Sequence, residues 1–481
     1  MRAPLIRTHR KLARVILYGV LALAAVALWA GIRLANEVRG RFAAALDRSW
    51  ATVDWSEYES VRLFQDYLRI DTSADGNEIP GVELLARILS EAGIEAHVEI
   101  LGERNANLWA ILEGDDPRGL VLHGHVDVDR IYYPDRWPHP PFSGFVEPPY
   151  IYGRGAFDMK SITIAQLMSL LELKRAGVPL RRSLVFLVTG DEESGSSVLG
   201  TRWILARHPD LVERFGVVLT EGGAVEAIAV DRVKYWGTET LQKRFIDIEV
   251  CDSRPDRLEL LRRDLSDPAR QGRLRVNEEA TGEFFRLYAG TRERPAYRRA
   301  LLRPRTLADD LTFEKLALNI RSMLRNEVVA FPIERSPEGG YSMWVILHLL
   351  PWLSFEEGWD ELLGDGVLST FAYSCDVPHG PLAPSSVEHP VFRTIDAHVR
   401  AAHPETVHGP LFVPWSATDS RFFRTHGIPS YGFSPFVIVT TDTTRTKGPG
   451  ERMALPAFVD GVDLYVGVVR DLVTRGWSDP G

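Results

Sequence analysis

The residues best suited to do chemistry lie where apolar strands run into acids. Leu120-Val121-Leu122 leads into His123-Gly124-His125-Val126-Asp127, so His125 and Asp127 are expected together at the end of a buried strand. A histidine followed two residues on by a carboxylate is a metal-ligand pattern with its own orienting partner, because the carboxylate fixes the ring tautomer and raises its basicity. Taken alone, such a pair is more often a polar strand end capping a loop than a metal site. Asp158 closes the glycine-bearing loop Gly153-Arg154-Gly155-Ala156-Phe157, just ahead of a helical pattern over 162–173. The apolar run Leu184-Val185-Phe186-Leu187-Val188 enters Thr189-Gly190-Asp191-Glu192-Glu193, and Val217-Val218-Leu219 enters Thr220-Glu221-Gly222-Gly223. Three strands thus end in acids, each where a turn begins. A hydrophobic core has no use for that placement, whereas a hydrolytic centre built from histidine and carboxylates around one or two metal ions requires it.

Such side chains need a scaffold that collects strand ends. Strands and helices alternate from about residue 50 to Glu221, with helices read over 50–68 and 82–92, and this predicts an α/β fold with a mainly parallel sheet flanked by helices. Open sheets of that kind place their sites at the carboxyl ends of the strands. The character changes after residue 240: 245–250 reads as a strand, 258–264 as a helix and 345–350 as a buried strand. A chain of 481 residues exceeds what one core sustains. The expected organisation is therefore an N-terminal segment (1–40), a first part of the catalytic domain (41–240), a smaller inserted α+β lid or dimerisation-type domain (241–385) and a second catalytic part (386–481).

The apolar fraction of 45% and charged fraction of 25% are those of a globular protein, and a net charge of −9 argues against nucleic acid as a partner. Arg2, Arg7, Arg10, Lys11 and Arg14 precede the charge-free stretch 15–32. That pattern predicts a membrane anchor, or a signal segment, with the globular part on the extracytoplasmic side, periplasmic or extracellular. An uncleaved anchor fits the length of the stretch better. Cys251 and Cys375 are the two cysteines, and whether they form a bridge is left open by the sequence.

In their order, His-x-Asp, Gly-x-x-Asp-Met-Lys, Asp-Glu-Glu and Glu-Gly-Gly resemble the M20 metallopeptidase family over residues 55–470. The segment Ala417-Thr418-Asp419-Ser420-Arg421 and the leader resemble its carboxypeptidase S and N-acyl-amino-acid hydrolase branch. The resemblance implies Zn2+, with Asp158 bridging two ions, His125 and Glu221 completing one, and Glu193 serving the other. It further implies Glu192 as general base, Asp127 as the residue that orients His125, and a small peptide or N-acyl amino acid as substrate. A homodimer is compatible with it. Arg421 is assigned to substrate binding, as a cation for a substrate carboxylate.

The second half departs from the family pattern. Lys447-Gly448-Pro449-Gly450-Glu451-Arg452 stands where a last histidine ligand is expected, and Glu451 is read as merely following it. Cys251-Asp252-Ser253-Arg254 lacks the lid histidine, and His348-Leu349-Leu350-Pro351-Trp352 lacks the lid arginine. Lysine is a poor zinc ligand, so the chain is expected to hold one or two ions, the second weakened by an ammonium lying near Glu193 and Asp158. Two functions follow: a zinc-dependent amide hydrolase acting on a C-terminal peptide bond or an N-acyl amino acid, or a catalytically impaired, membrane-tethered binding or scaffold protein.

Overall fold

The computed structural model describes Trp50 and residues 52–229, 232–267, 272–292, 295–305, 316–336, 339–376 and 380–477. The anchor or signal segment expected at 15–32 lies outside the described residues, and no helix among those described is long and apolar enough to cross a membrane.

In chain order the strands begin with β1 (Ala96–Leu101), β2 (Asn105–Leu112), β3 (Asp116–His125), β4 (Phe145–Glu147), β5 (Tyr150–Tyr152) and β6 (Arg182–Thr189). They continue with β7 (Phe215–Thr220), β8 (Ala224–Ala229), β9 (Arg232–Gln242), β10 (Arg244–Asp252), β11 (Glu327–Arg335) and β12 (Tyr341–Leu349). Last come β13 (Ala372–Cys375), β14 (Val407–Val413), β15 (Ser430–Gly432) and β16 (Arg452–Ala454). The large sheet runs β1-β2-β6-β3-β7-β15-β9-β14, with β8 added on β9. It is parallel through its centre, where β6, β3, β7 and β15 run the same way, and antiparallel strands extend it. Every residue of β6 and β7 is buried, as expected of strands covered on both faces by helices. The α/β fold with its parallel-centred sheet and flanking helices is the one the alternating pattern predicts.

The helix Lys160–Ala176 packs against the sheet and the long helix Leu455–Arg475, so the end of the chain closes over its first half. It stops at Gly177, whose φ of 60° lies in the left-handed region that a side chain disfavours. A separate four-stranded sheet, β11-β12-β10-β13, takes all its strands from 244–375. Its core joins Ile246, Ile248, Val345 and Leu347 to Leu258, Leu261 and Trp359 from helices. A third sheet pairs β16 with β5 and β5 with β4, which ties the segment after Lys447 to the strands just before the Asp158 loop.

One local expectation changes, and one open point is answered. The helix read over 50–68 is broken: a 3-10 turn at Trp55–Glu57 precedes the α-helix Glu59–Leu68, because Thr52, Val53 and Asp54 disfavour a continuous helix. Cys251 and Cys375, whose pairing the sequence leaves open, lie on neighbouring strands but out of register, Cys251 opposite Ala372 and Cys375 opposite Ile248, and no disulfide joins them.

Candidate metal centre

Three neighbouring strands deliver the centre. β3 ends at His125, β6 runs on into Asp191-Glu192-Glu193, and β7 runs on into Glu221, so their carboxyl ends face one space. Gly190 turns the chain after β6 against Glu78, where an added Cβ would lie 2.0 Å from Oε2. Only glycine lets that turn sit so close. Asp158 enters from the loop before Lys160–Ala176.

His125 Nδ1 lies 2.8 Å from the Asp127 carbonyl oxygen, which can only accept, so Nδ1 carries the proton. Nε2, the nitrogen left for a ligand, faces acids: Asp158 Oδ1 at 3.4 Å, Glu221 Oε1 at 3.7 Å and Glu192 Oε2 at 3.9 Å. It makes no hydrogen bond among the described residues. One ligand atom each from His125, Glu192 and Glu221 lies within 4.8 Å of the others. Of the acids singled out from the sequence, Asp158, Glu192 and Glu221 converge on His125 Nε2, whereas Glu193 is paired with Lys447 instead. The Asp127 side chain is 3.5 Å from the ring, and its Oδ2 accepts instead from the Glu193 amide at 2.8 Å. Lys447 Nζ donates to Glu193 Oε2 and lies 3.4 Å from Asp158 Oδ2.

The electrostatics are those of acids gathered out of water. Burial pushes the Glu193 carboxyl up to about 8, helped by the Asp158 charge, and Glu221 up to about 7 for the same two reasons. Burial likewise raises Glu192 well above the ordinary range, with Glu221 and Asp419 adding like charge. Burial opposes ionisation of Asp158 too, but the Lys447 ammonium and His125 hold its carboxyl below the usual value. A buried, unpartnered imidazole nitrogen facing carboxylates that raise one another's pKa values is a donor set suited to a divalent cation. The side chains therefore fit one such ion at His125, Asp158 and Glu221, with Glu192 in reach.

Other residues find different roles. His123 is enclosed by threonines, with Nδ1 3.0 Å from Thr220 Oγ1 and Nε2 within 3.1 Å of both Thr189 and Thr201 hydroxyls. Arg421 is buried, and its guanidinium donates to the carbonyls of Thr418 and Gly195 at 2.6 Å each. Its charge still acts on Asp419, Glu192 and Glu221. Glu451 is more than a residue trailing Lys447. It forms a buried pair with Arg154, both side chains 1% exposed at 2.6 Å, and its other oxygen accepts from the Phe157 amide. Arg154 also donates to the Lys447 carbonyl. Sequence patterns carried no sign of that pair, nor of Glu78, which is raised to about 7 by burial and by Asp127. Asp419 sits inside the motif quoted above and accepts from Ser197. Beside Asp127 and Glu193 opens a cleft of about 540 Å³ lined also by Ser73, Asn105, Arg130 and Tyr132.

The fold is an α/β one with a candidate divalent-cation site at the carboxyl ends of its central strands. Residues 121–471 match the profile of peptidase family M20/M25/M40, and the chain belongs to that family. Aminoacylase-1 of Mus musculus is 26% identical over 434 residues, covering 87% of this chain and 96% of the relative. An M20 family metallo-carboxypeptidase from Sulfolobus solfataricus shares the fold with a TM-score of 0.64 at 17% identity, covering 86% of this chain and 99% of that one. Human carnosine dipeptidase 1 does so with a TM-score of 0.61 at 14% identity, covering 88% and 98%. The protein is accordingly an enzyme of the peptidase and amidohydrolase class.

Proposed function

We propose that this protein is a zinc-dependent hydrolase of amide bonds, cleaving a C-terminal peptide bond or an N-acyl amino acid. The observation that carries the reading is the unpartnered His125 Nε2, faced within 3.9 Å by Asp158, Glu192 and Glu221 at the carboxyl ends of adjacent strands. His125, Asp158 and Glu221 would hold the ion. Once bound, zinc would supply Lewis-acid polarisation of the scissile carbonyl and acidify water.

The protein's own groups supply the rest. The backbone carbonyl of Asp127 keeps the proton on His125 Nδ1, so that Nε2 stays a lone-pair donor. Glu192 takes a proton from the attacking water at Oε2 and returns it to the leaving nitrogen, its Oε2 lying 3.9 Å from His125 Nε2 on the side of the ion. Arg421 holds the loops bearing Gly195 and Thr418 together and gives the Glu192 side of the site a positive field that favours a substrate carboxylate. In this reading the unit carrying the four-stranded sheet acts as a lid, and the cations ahead of 15–32 keep the globular part extracytoplasmic, tethered through that segment.

Glu192→Gln tests the reading, because the amide preserves shape but cannot carry the proton. Turnover of N-acyl amino acids and dipeptides is expected to fall 10²-fold or more, on the order of what general acid–base catalysis contributes, with zinc content unchanged. Unaltered turnover would remove Glu192 from its role.

A further inference from the structure

Asp158 faces two different partners with its two oxygens. Oδ1 lies 3.4 Å from His125 Nε2, on the side of the proposed ion, and Oδ2 lies 3.4 Å from Lys447 Nζ. On the far side of the ammonium, Glu193 Oε2 accepts its hydrogen bond. The lysine nitrogen therefore sits between one carboxylate that reaches across from the His125 side and a second, Glu193, that has no role there. A second divalent cation bridged by Asp158 would take that place.

The lysine is built into this position. Its backbone φ of 58° lies in the left-handed region, uncommon for a residue with a side chain. The Lys447 carbonyl accepts from Arg154 Nη2 at 3.1 Å, and Arg154 is fixed in turn by its buried pair with Glu451. Glu451 also takes the Phe157 amide, next to Asp158. One buried ion pair thus sets both the loop that carries the ammonium and the loop that carries its carboxylate. On the Glu193 side, the amide of Glu193 is held by Asp127 Oδ2 at 2.8 Å. All three members of the Glu193, Lys447 and Asp158 cluster are anchored through their backbones or neighbouring residues.

We propose that the Lys447 ammonium permanently occupies the place of a second cation, so that the centre binds one divalent ion, at His125, Asp158 and Glu221, beside a fixed organic charge. The inference rests on the reading of this site as a metal centre. An ammonium offers no lone pair and repels an incoming ion, while it supplies the positive charge that Glu193 and Asp158 would otherwise draw from a metal. Replacing it by a neutral imidazole removes the repulsion and adds a ligand.

The test is metal stoichiometry of the full chain, by elemental analysis after equilibration with zinc and removal of free ion. The wild type is expected to hold one zinc per chain and Lys447→His two. Two in the wild type overturn the inference and leave the metal-centre reading standing, whereas none overturns that reading itself. Lys447→His staying at one ion, with a native circular-dichroism spectrum, also overturns the inference. Should that variant fail to fold, cobalt titration of the wild type decides: absorption saturating at one equivalent with an uncoupled paramagnetic signal supports a single ion, and a spin-coupled pair refutes it.

Discussion

Asp127 holds two parts of the centre at once. Its carbonyl fixes the His125 ring at 2.8 Å, and its carboxylate anchors the Glu193 amide at 2.8 Å. The sequence pattern assigns the ring to the carboxylate, which the geometry places farther away, at 3.5 Å. The two jobs predict different outcomes for two substitutions. Asp127→Ala keeps the carbonyl but frees the loop of Glu192 and Glu193, and affinity for the first ion is expected to drop about 10- to 100-fold, the usual range for a supporting residue of a metal ligand. Asp127→Asn retains an acceptor for the Glu193 amide and should lose less. Chelator competition measures both; equal losses would mean that charge, not the loop anchor, is what Asp127 contributes.

Among elements, the buried Arg154–Glu451 pair joins two loops that are 297 positions apart and sets the carboxylate of Asp158 against the ammonium of Lys447. Removing one partner leaves the other charge buried and unpaired, a cost of roughly 3–5 kcal/mol. Glu451→Ala should therefore lower the melting temperature far more than Glu221→Ala, while Glu221→Ala loses more zinc, since only Glu221 faces His125 Nε2. Melting curves and metal content taken on the same samples separate the two; a reversed order in zinc retention would strike Glu221 from the ligand set. Much of this centre was legible because apolar runs ending in acids mark strand ends directly, as at His125, Glu192 and Glu221. Lys447 was legible through the one motif it interrupts. The pairing of Arg154 with Glu451 was not, because nothing periodic relates two loops that meet only after the sheet and the helix Leu455–Arg475 have closed. The same holds for β15, three residues long, which carries too little pattern to announce that the chain returns to the middle of the large sheet.

For the molecule as a whole, folding gathers acids that are far apart in the chain at one end of one sheet. Burial, reinforced by neighbouring charge, lifts Glu193 to about 8, Glu221 to about 7 and Glu78 to about 7, whereas in the unfolded chain each titrates near 4.5. Between about pH 4.5 and 8 these three carboxyls therefore bind more protons in the native state than in the unfolded one, and the stability they contribute falls as pH rises, while buried His123 and His348, lowered to about 3 and about 4, act in the opposite sense below their ordinary range. His125 adds to the same slope: burial disfavours its charge, but Asp127, Asp158 and Glu221 raise its pKa, so its contribution is also lost as pH climbs. Asp158 acts oppositely, its lowered pKa giving stability that disappears only in acid below its ordinary value of 3.8. A divalent cation binds the ionised carboxylates, so zinc stabilises more as pH increases. The melting temperature of the chelator-treated protein is expected to decline from pH 5 to about 8 relative to that of Glu193→Gln, which lacks one of these carboxyls, and saturating zinc is expected to offset that relative decline. A difference between the two metal-free proteins that stays level or rises across this window would show that Glu193 is not held among the acids of the centre in the folded state as described.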